Sequence, residues 1–271
     1  MARQQPAPPE RSVTIELPGG SLPYVLRHSP RSRYVRLTID PRRGVIVSVP
    51  VVRGVRGVRG DRSDPSVADF LRTREAWIRR HLDRHQRDRD ALAARGGLAH
   101  GAMFRLRGDL HRLRIEPGPA TTRRSAVRRD GAPDGDELVV SLAPRDGRPV
   151  ERVLREWLVD RARDAVDRQV ERHAAALGVK PATIAIRDPR TRWGSAAPTG
   201  RLMLSWRLVL APPEALETVV VHELAHLRIA GHGPRFWALV ASRRADHREW
   251  RRWLREHSFE LHAALESPAT R

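Results

Sequence analysis

The 271-residue chain has no cysteine. That absence removes disulfides, thiolate zinc sites and iron–sulfur clusters, and it confines any bound metal to nitrogen and oxygen ligands. Long apolar runs are missing too: nowhere is there a stretch of about 18 apolar residues, the length a membrane-crossing helix needs. The opening MARQQPAPPERS lacks the apolar segment of a signal peptide, so a cytoplasmic location without a membrane partner is expected. No P-loop or other glycine-rich phosphate cradle occurs. Lysine is almost absent, since Lys180 is the single exception among 51 basic residues. With 32 acidic residues the formal net charge is +19. Residues 1–150 hold 30 basic and 17 acidic side chains, a net +13, and residues 151–271 hold the remaining +6. Such a surface attracts polyanions. GC-rich codon usage also yields arginine in place of lysine without selection for binding, and no recognised nucleic-acid module accompanies the charge. Non-specific nucleic-acid contact through the arginine-rich N-terminal half is therefore the expectation.

What the chain does have is His222-Glu223-Leu224-Ala225-His226, the pattern H-E-x-x-H. With 12 histidines and 15 glutamates in the chain, about 0.03 accidental matches are expected. On a helix, positions i and i+4 lie about 40° apart around the axis and about 6 Å along it, so both imidazoles can grip one cation. Glu223 lies roughly 100° around, beside a metal rather than on it, where a general base must stand to deprotonate an activated water. Pro212-Pro213-Glu214 marks a helix start, and Leu216, Val219, Val220, Val221, Leu224 and Leu227 make that helix largely buried. Polar groups on a buried helix must be paired or coordinated.

A third ligand is expected at His232, six residues past His226, between Gly231 and Gly233-Pro234, where the chain can turn back over the metal. The total spacing equals that of H-E-x-x-H-x-x-G-x-x-H, but Ile229 stands where that pattern has glycine, so the turn is built differently. The competing ligands are Asp246, His247 and Glu249, about 20 residues beyond His226 on a following helix. Three nitrogens and one open position suit a single catalytic Zn2+ per chain.

Arg192-Trp193-Gly194-Ser195, the strand ending Leu208-Val209-Leu210-Ala211-Pro212, VVVHELAHL, Gly231-His232-Gly233, Phe236-Trp237 and Trp253-Leu254 together resemble the YgjP/SprT-like zinc metallopeptidase family, from about Tyr24 to His257. The resemblance implies a zinc hydrolase with His222, His226 and His232 as ligands and Glu223 as the catalytic residue. Members of that family often carry cysteine after R-W-G-S. Here Ala196 occupies that place, which argues against a thiol role.

The organisation read from pattern is α+β: a Pro-rich tail at 1–12, a β-rich region at 13–149 with one amphipathic helix, and a zincin-like domain at 150–271. Strands are expected at 13–17, 34–39, 45–49, 104–107, 110–115, 137–142, 183–187 and 201–210. A threefold Val-Arg-Gly repeat at 52–60 reads as a loop insertion, and 117–136 as a polar loop. Helices are expected from about 67 to 94, with an apolar stripe through Val67, Phe70, Leu71, Ala76-Trp77-Ile78 and Leu82, and from 150 to 177, ended by Gly178 and Pro181. Trp237, Trp250 and Trp253 fall at helical spacings that suit core packing. A strand at the edge of a sheet beside the motif helix could pair with an extended peptide. The functional expectation is a zinc-dependent peptidase acting on peptide or protein. Two alternatives remain: a zinc-dependent hydrolase of nucleotide phosphoanhydrides, and a nucleic-acid-associated protein with a structural zinc.

Overall fold

The computed structural model describes residues 10–29, 33–40, 43–50, 65–94, 97–132 and 135–265. The Val-Arg-Gly repeat and most of the Pro-rich tail lie outside the described residues. By compactness the chain divides into two units, residues 1–89 and 90–271. The architecture is α+β.

In the first unit, β1 (Arg11–Leu17), β2 (Gly20–Ser29), β3 (Arg36–Asp40) and β4 (Gly44–Pro50) form a sheet in the order β1-β2-β4-β3. The β1–β2 and β3–β4 pairs are antiparallel, as hairpins must be, and β2 runs parallel to β4. Along β4 every second residue, Val45, Val47 and Val49, joins one apolar cluster, because successive side chains of a strand point to opposite faces. Val67, Leu71 and Ile78 complete that cluster from α1 (Pro65–Arg72) and α2 (Glu75–Ala94). One continuous helix was the expectation here, and the structure breaks it at Thr73-Arg74. The Thr73 hydroxyl donates to the carbonyls of Asp69 (2.9 Å) and Phe70 (3.1 Å), competing with the helical ladder. The Arg74 amide bonds three residues back, to Leu71, and ends the turn.

The second unit opens with β5 (Met103–Leu106), β6 (Asp109–Pro117), β7 (Ala126–Ala132) and β8 (Gly135–Leu142), ordered β5-β6-β8-β7 with the same pairing senses as the first sheet. The β5–β6 turn needs left-handed backbone at Arg107 (φ 54°) and Gly108 (φ 92°). The expected loop at 117–136 is a correction: β7 lies within it. Its residues Arg128, Arg129 and Asp130 are polar because β7 is an edge strand facing water, and the side chains of Arg128 and Asp130 pair with each other.

Next comes α3 (Val150–Leu177), closed by Gly178 in the left-handed conformation (φ 65°). A three-stranded sheet, β10-β11-β9, is made of β9 (Thr183–Arg187), β10 (Gly194–Ala196) and β11 (Arg201–Ser205). The strand expected over 201–210 stops at Ser205. There the Ser205 hydroxyl accepts from the Arg207 amide (3.3 Å) and caps a 3-10 turn, Trp206–Leu210. Four helices follow: α4 (Pro213–His226), α5 (Pro234–Ala241), α6 (His247–Glu256) and α7 (Ser258–Ala263). Leu154, Leu158 and Val166 of α3 share one core with Val220, Val221 and Leu224 of α4, and each such burial contributes roughly 1.5–3 kcal/mol. A buried polar link joins the same two helices. His173 of α3 donates to the Glu217 carboxylate of α4 (2.7 Å), which also accepts from Arg244 (2.9 Å). Among the described residues no helix is long and apolar enough to cross a membrane.

Candidate metal centre

Helix α4 begins with two prolines, whose fixed φ and missing N–H suit a helix start. It is buried along nearly its whole length, from Ala215 to Ala225. Its core face anchors the backbone, so the side chains of its last turn are held in place rather than searching. His222 and His226 sit one turn apart on that end. Beyond it the chain reverses through Gly231, whose φ of 78° belongs to the left-handed region, and His232 returns over the helix terminus.

The three Nε2 atoms form a nearly equilateral triangle: 3.2 Å between His226 and His222, 3.1 Å between His226 and His232, and 3.2 Å between His232 and His222. Three ring nitrogens this close cannot all satisfy one another, because each neutral ring offers one donor at most. A cation resolves the conflict. Ligands at the usual zinc–nitrogen distance of about 2.0–2.1 Å in a tetrahedral set are roughly 3.3–3.4 Å apart, close to the separations found. The opposite ring nitrogen of His226, Nδ1, lies 3.3 Å from the Ile229 carbonyl, so its proton is placed there and the Nε2 lone pair faces the cluster. Burial, reinforced by the neighbouring His226 and His232, pushes the His222 imidazole down to about 3, and burial also lowers His226. Both rings are neutral at pH 7, the form that binds metal. His222, His226 and His232 are the group that could hold an ion among the described residues.

The rival positions lie elsewhere. Asp246 accepts from Arg244 and from the Trp250 indole (2.7 Å), and Glu249 is not part of the cluster. His247 stacks on Trp237 at 5.2 Å between ring centroids, nearly parallel. Its own pKa is lowered, first by burial and then by the charges of Arg251 and Arg248.

Glu223 is 6 % exposed, and burial raises its carboxyl to about 7 while the charge of Arg192 pulls the other way. A carboxyl poised near neutrality can both take and give a proton at pH 7. The room for it is left by Gly194, in the R-W-G-S segment at the start of β10. A Cβ at that position would lie 2.7 Å from Glu223 Cγ and Oε1 and 2.9 Å from Cδ. Strand β10 is an edge, paired to β11 alone among the described strands.

Periodicity gave no site role to the aromatic collar. Phe236, fully buried, stacks on His226 at 4.4 Å and meets His222 and His232 edge-on at 5.0 and 4.9 Å. Trp237 lies against His222 and His232, with the Arg251 guanidinium 4.1 Å over its ring. Helical spacing placed Trp237 in the core, whereas it is half-buried beside the three histidines. The available signal was position: both rings follow within five residues of His232, on the first turn of the next helix. Trp253 stacks on His257 and Trp250 bonds Asp246, away from the cluster.

No curated protein and no solved structure matches the chain. A family model described as YgjP-like, metallopeptidase domain matches residues 33–257, a span that runs from the first unit through α4 and the returning His232 to the end of α6. With that match over most of its length and three histidines gathered to hold an ion, the chain belongs to the YgjP-like metallopeptidase family.

Proposed function

We propose that the protein is a zinc-dependent peptidase in which His222, His226 and His232 hold the ion and Glu223 is the general base and acid. The observation that carries this reading is the triangle of Nε2 atoms at 3.1–3.2 Å on the helix that also bears the buried Glu223. Bound zinc supplies Lewis acidity, which acidifies water and polarises a carbonyl. Glu223 takes the proton of the attacking water on its carboxylate and passes it to the leaving amine nitrogen. Its elevated pKa makes the carboxylate a stronger base, which favours the first transfer, and the charge of Arg192 limits that rise, which keeps the carboxylate form accessible near neutral pH and the proton labile enough for the second. Phe236 locks the three imidazoles and excludes water from their rear. The free edge of β10, beside α4, offers backbone N–H and C=O groups to an extended substrate, which favours an unfolded peptide segment.

The test runs two panels in parallel on the zinc-loaded protein: denatured proteins and nucleoside triphosphates. New peptide N-termini that appear only with metal and with Glu223 intact are the expected result. Release of pyrophosphate or phosphate without any peptide cleavage would replace the peptidase by a phosphoanhydride hydrolase.

A further inference from the structure

We propose that the first unit carries a second binding surface, a stacking site for single-stranded nucleic acid built on Tyr34, Phe70 and Trp77 and charged by Arg33, Arg36 and Arg74. These six side chains line an open groove of about 820 Å³, and no acid is among its described lining residues. The large apolar side chains exposed among the described residues are Tyr34 (82 %), Trp77 (39 %), Met103 and Leu110, and two of the four lie in this groove. Exposed rings clustered in one place are the informative exception to ordinary burial. The arginines are not spent on local acids: among the described residues Arg33, Arg36 and Arg74 have no carboxylate partner. The Arg74 guanidinium lies 4.0 Å over the Phe70 ring and donates to the Thr73 hydroxyl (3.1 Å), so it is held flat with its charge unneutralised. Trp77 is backed by His81 at 4.0 Å between centroids, which fixes its plane.

Charge alone would suit any polyanion, and residues 1–89 carry 19 arginines against 9 acids, a net +10. The rings narrow the choice. Phosphates can pair with the arginines while unstacked bases lie on the aromatic faces, and base stacking is sequence-tolerant because every base has a π-face. A duplex keeps its bases stacked on each other and cannot use the rings. An acidic peptide uses the charges and leaves the rings empty.

The experiment measures fluorescence anisotropy of the full-length protein with labelled oligo(dT), oligo(U), an abasic strand of equal length and a duplex, at near-physiological salt. The expected result is binding of oligo(dT) or oligo(U) at least about tenfold tighter than the abasic strand or the duplex. Trp77→Ala should remove roughly tenfold of that affinity and leave the abasic strand unaffected, while Trp77→Phe restores most of it. Because Trp77 is partly exposed, the melting temperature should stay near wild type, which separates loss of the ring from loss of the fold. The ratio of oligo(dT) to oligo(U) affinity distinguishes DNA from RNA as the source. Equal binding of the abasic strand, an unchanged Trp77→Ala variant, or displacement of the oligonucleotide by polyglutamate as effectively as by unlabelled oligonucleotide would each overturn the proposal.

Discussion

Replacing Gly194 by alanine adds one methyl group and should disable the enzyme without touching a ligand. The new Cβ would stand 2.7 Å from Cγ and Oε1 of Glu223 and 2.9 Å from its Cδ. Favourable carbon contacts begin near about 3.5 Å, so the carboxyl must retreat by roughly 0.7–1 Å. The backbone itself does not object, since Gly194 is not among the residues with positive φ, and the lower entropy of an unfolded alanine offsets about 0.4–1 kcal/mol of the strain. Overpacking of this kind costs about 1–3 kcal/mol, which leaves a modest net destabilisation. A base misplaced by about 1 Å loses on the order of 10²-fold in rate. The assay combines turnover on the substrate found by the parallel panels, zinc content and a thermal melt. Zinc should stay near one per chain and the fold should persist, while turnover falls about 10- to 100-fold. A Gly194→Ala protein with full zinc and more than about half of wild-type turnover would show that Gly194 does not position Glu223.

Other perturbations reach the same site from different sides. His222→Ala, His226→Ala and His232→Ala should each purify largely zinc-free, whereas Glu249→Ala keeps its metal, as elemental analysis after dialysis against a chelator would show; the opposite order would move the third ligand to α6. In metal-free protein, Glu223 holds its proton up to about pH 7 when folded but only to about 4.5 when unfolded, so the folded state binds the extra proton and stability falls as pH rises between those values. Glu223→Gln removes that loss, and the metal-free variant should be the more stable by up to about 3 kcal/mol at pH 8 and equal to wild type near pH 4, measured by denaturant melts. His222, lowered to about 3, works oppositely: it destabilises the fold at low pH and ceases to do so as pH rises to about 6.5, in both proteins alike. Glu217→Ala should cost about 1–3 kcal/mol, because it leaves the buried His173 Nε2–H without its acceptor while Arg244 keeps Asp246; an unchanged melting temperature would assign that network no structural role.

The motif helix was legible because its chemistry and its geometry share one period: His222 and His226 are neighbours on any helix, and the apolar run before them can only be a buried one. His232 was legible for a related reason, since glycines on both sides allow one tight reversal. Helix α3 and its end at Gly178 followed from apolar spacing and a left-handed cap. The strand β7 was hidden because an edge strand exposes both flanks to water, so Arg128, Arg129 and Asp130 look like loop. The break between α1 and α2 was hidden as well, because it depends on one hydroxyl at Thr73 bonding backwards. Gly194 against Glu223, and Phe236 against His222 and His226, are contacts between segments some 10 to 30 residues apart, which no local periodicity encodes. The same holds for Tyr34, Phe70 and Trp77, which only the folded first unit brings to one groove.

The most direct measurement is zinc content and turnover of Glu223→Gln side by side with wild type. The substitution keeps size and hydrogen-bonding shape, removes the proton acceptor and leaves His222, His226 and His232 intact. Acid–base catalysis contributes roughly 10²- to 10⁴-fold, and a residue used twice belongs at or above the upper end. The account predicts one zinc per chain and a loss of that size. A variant that keeps its zinc and more than about a tenth of wild-type turnover would contradict it, because no acid–base role is that small.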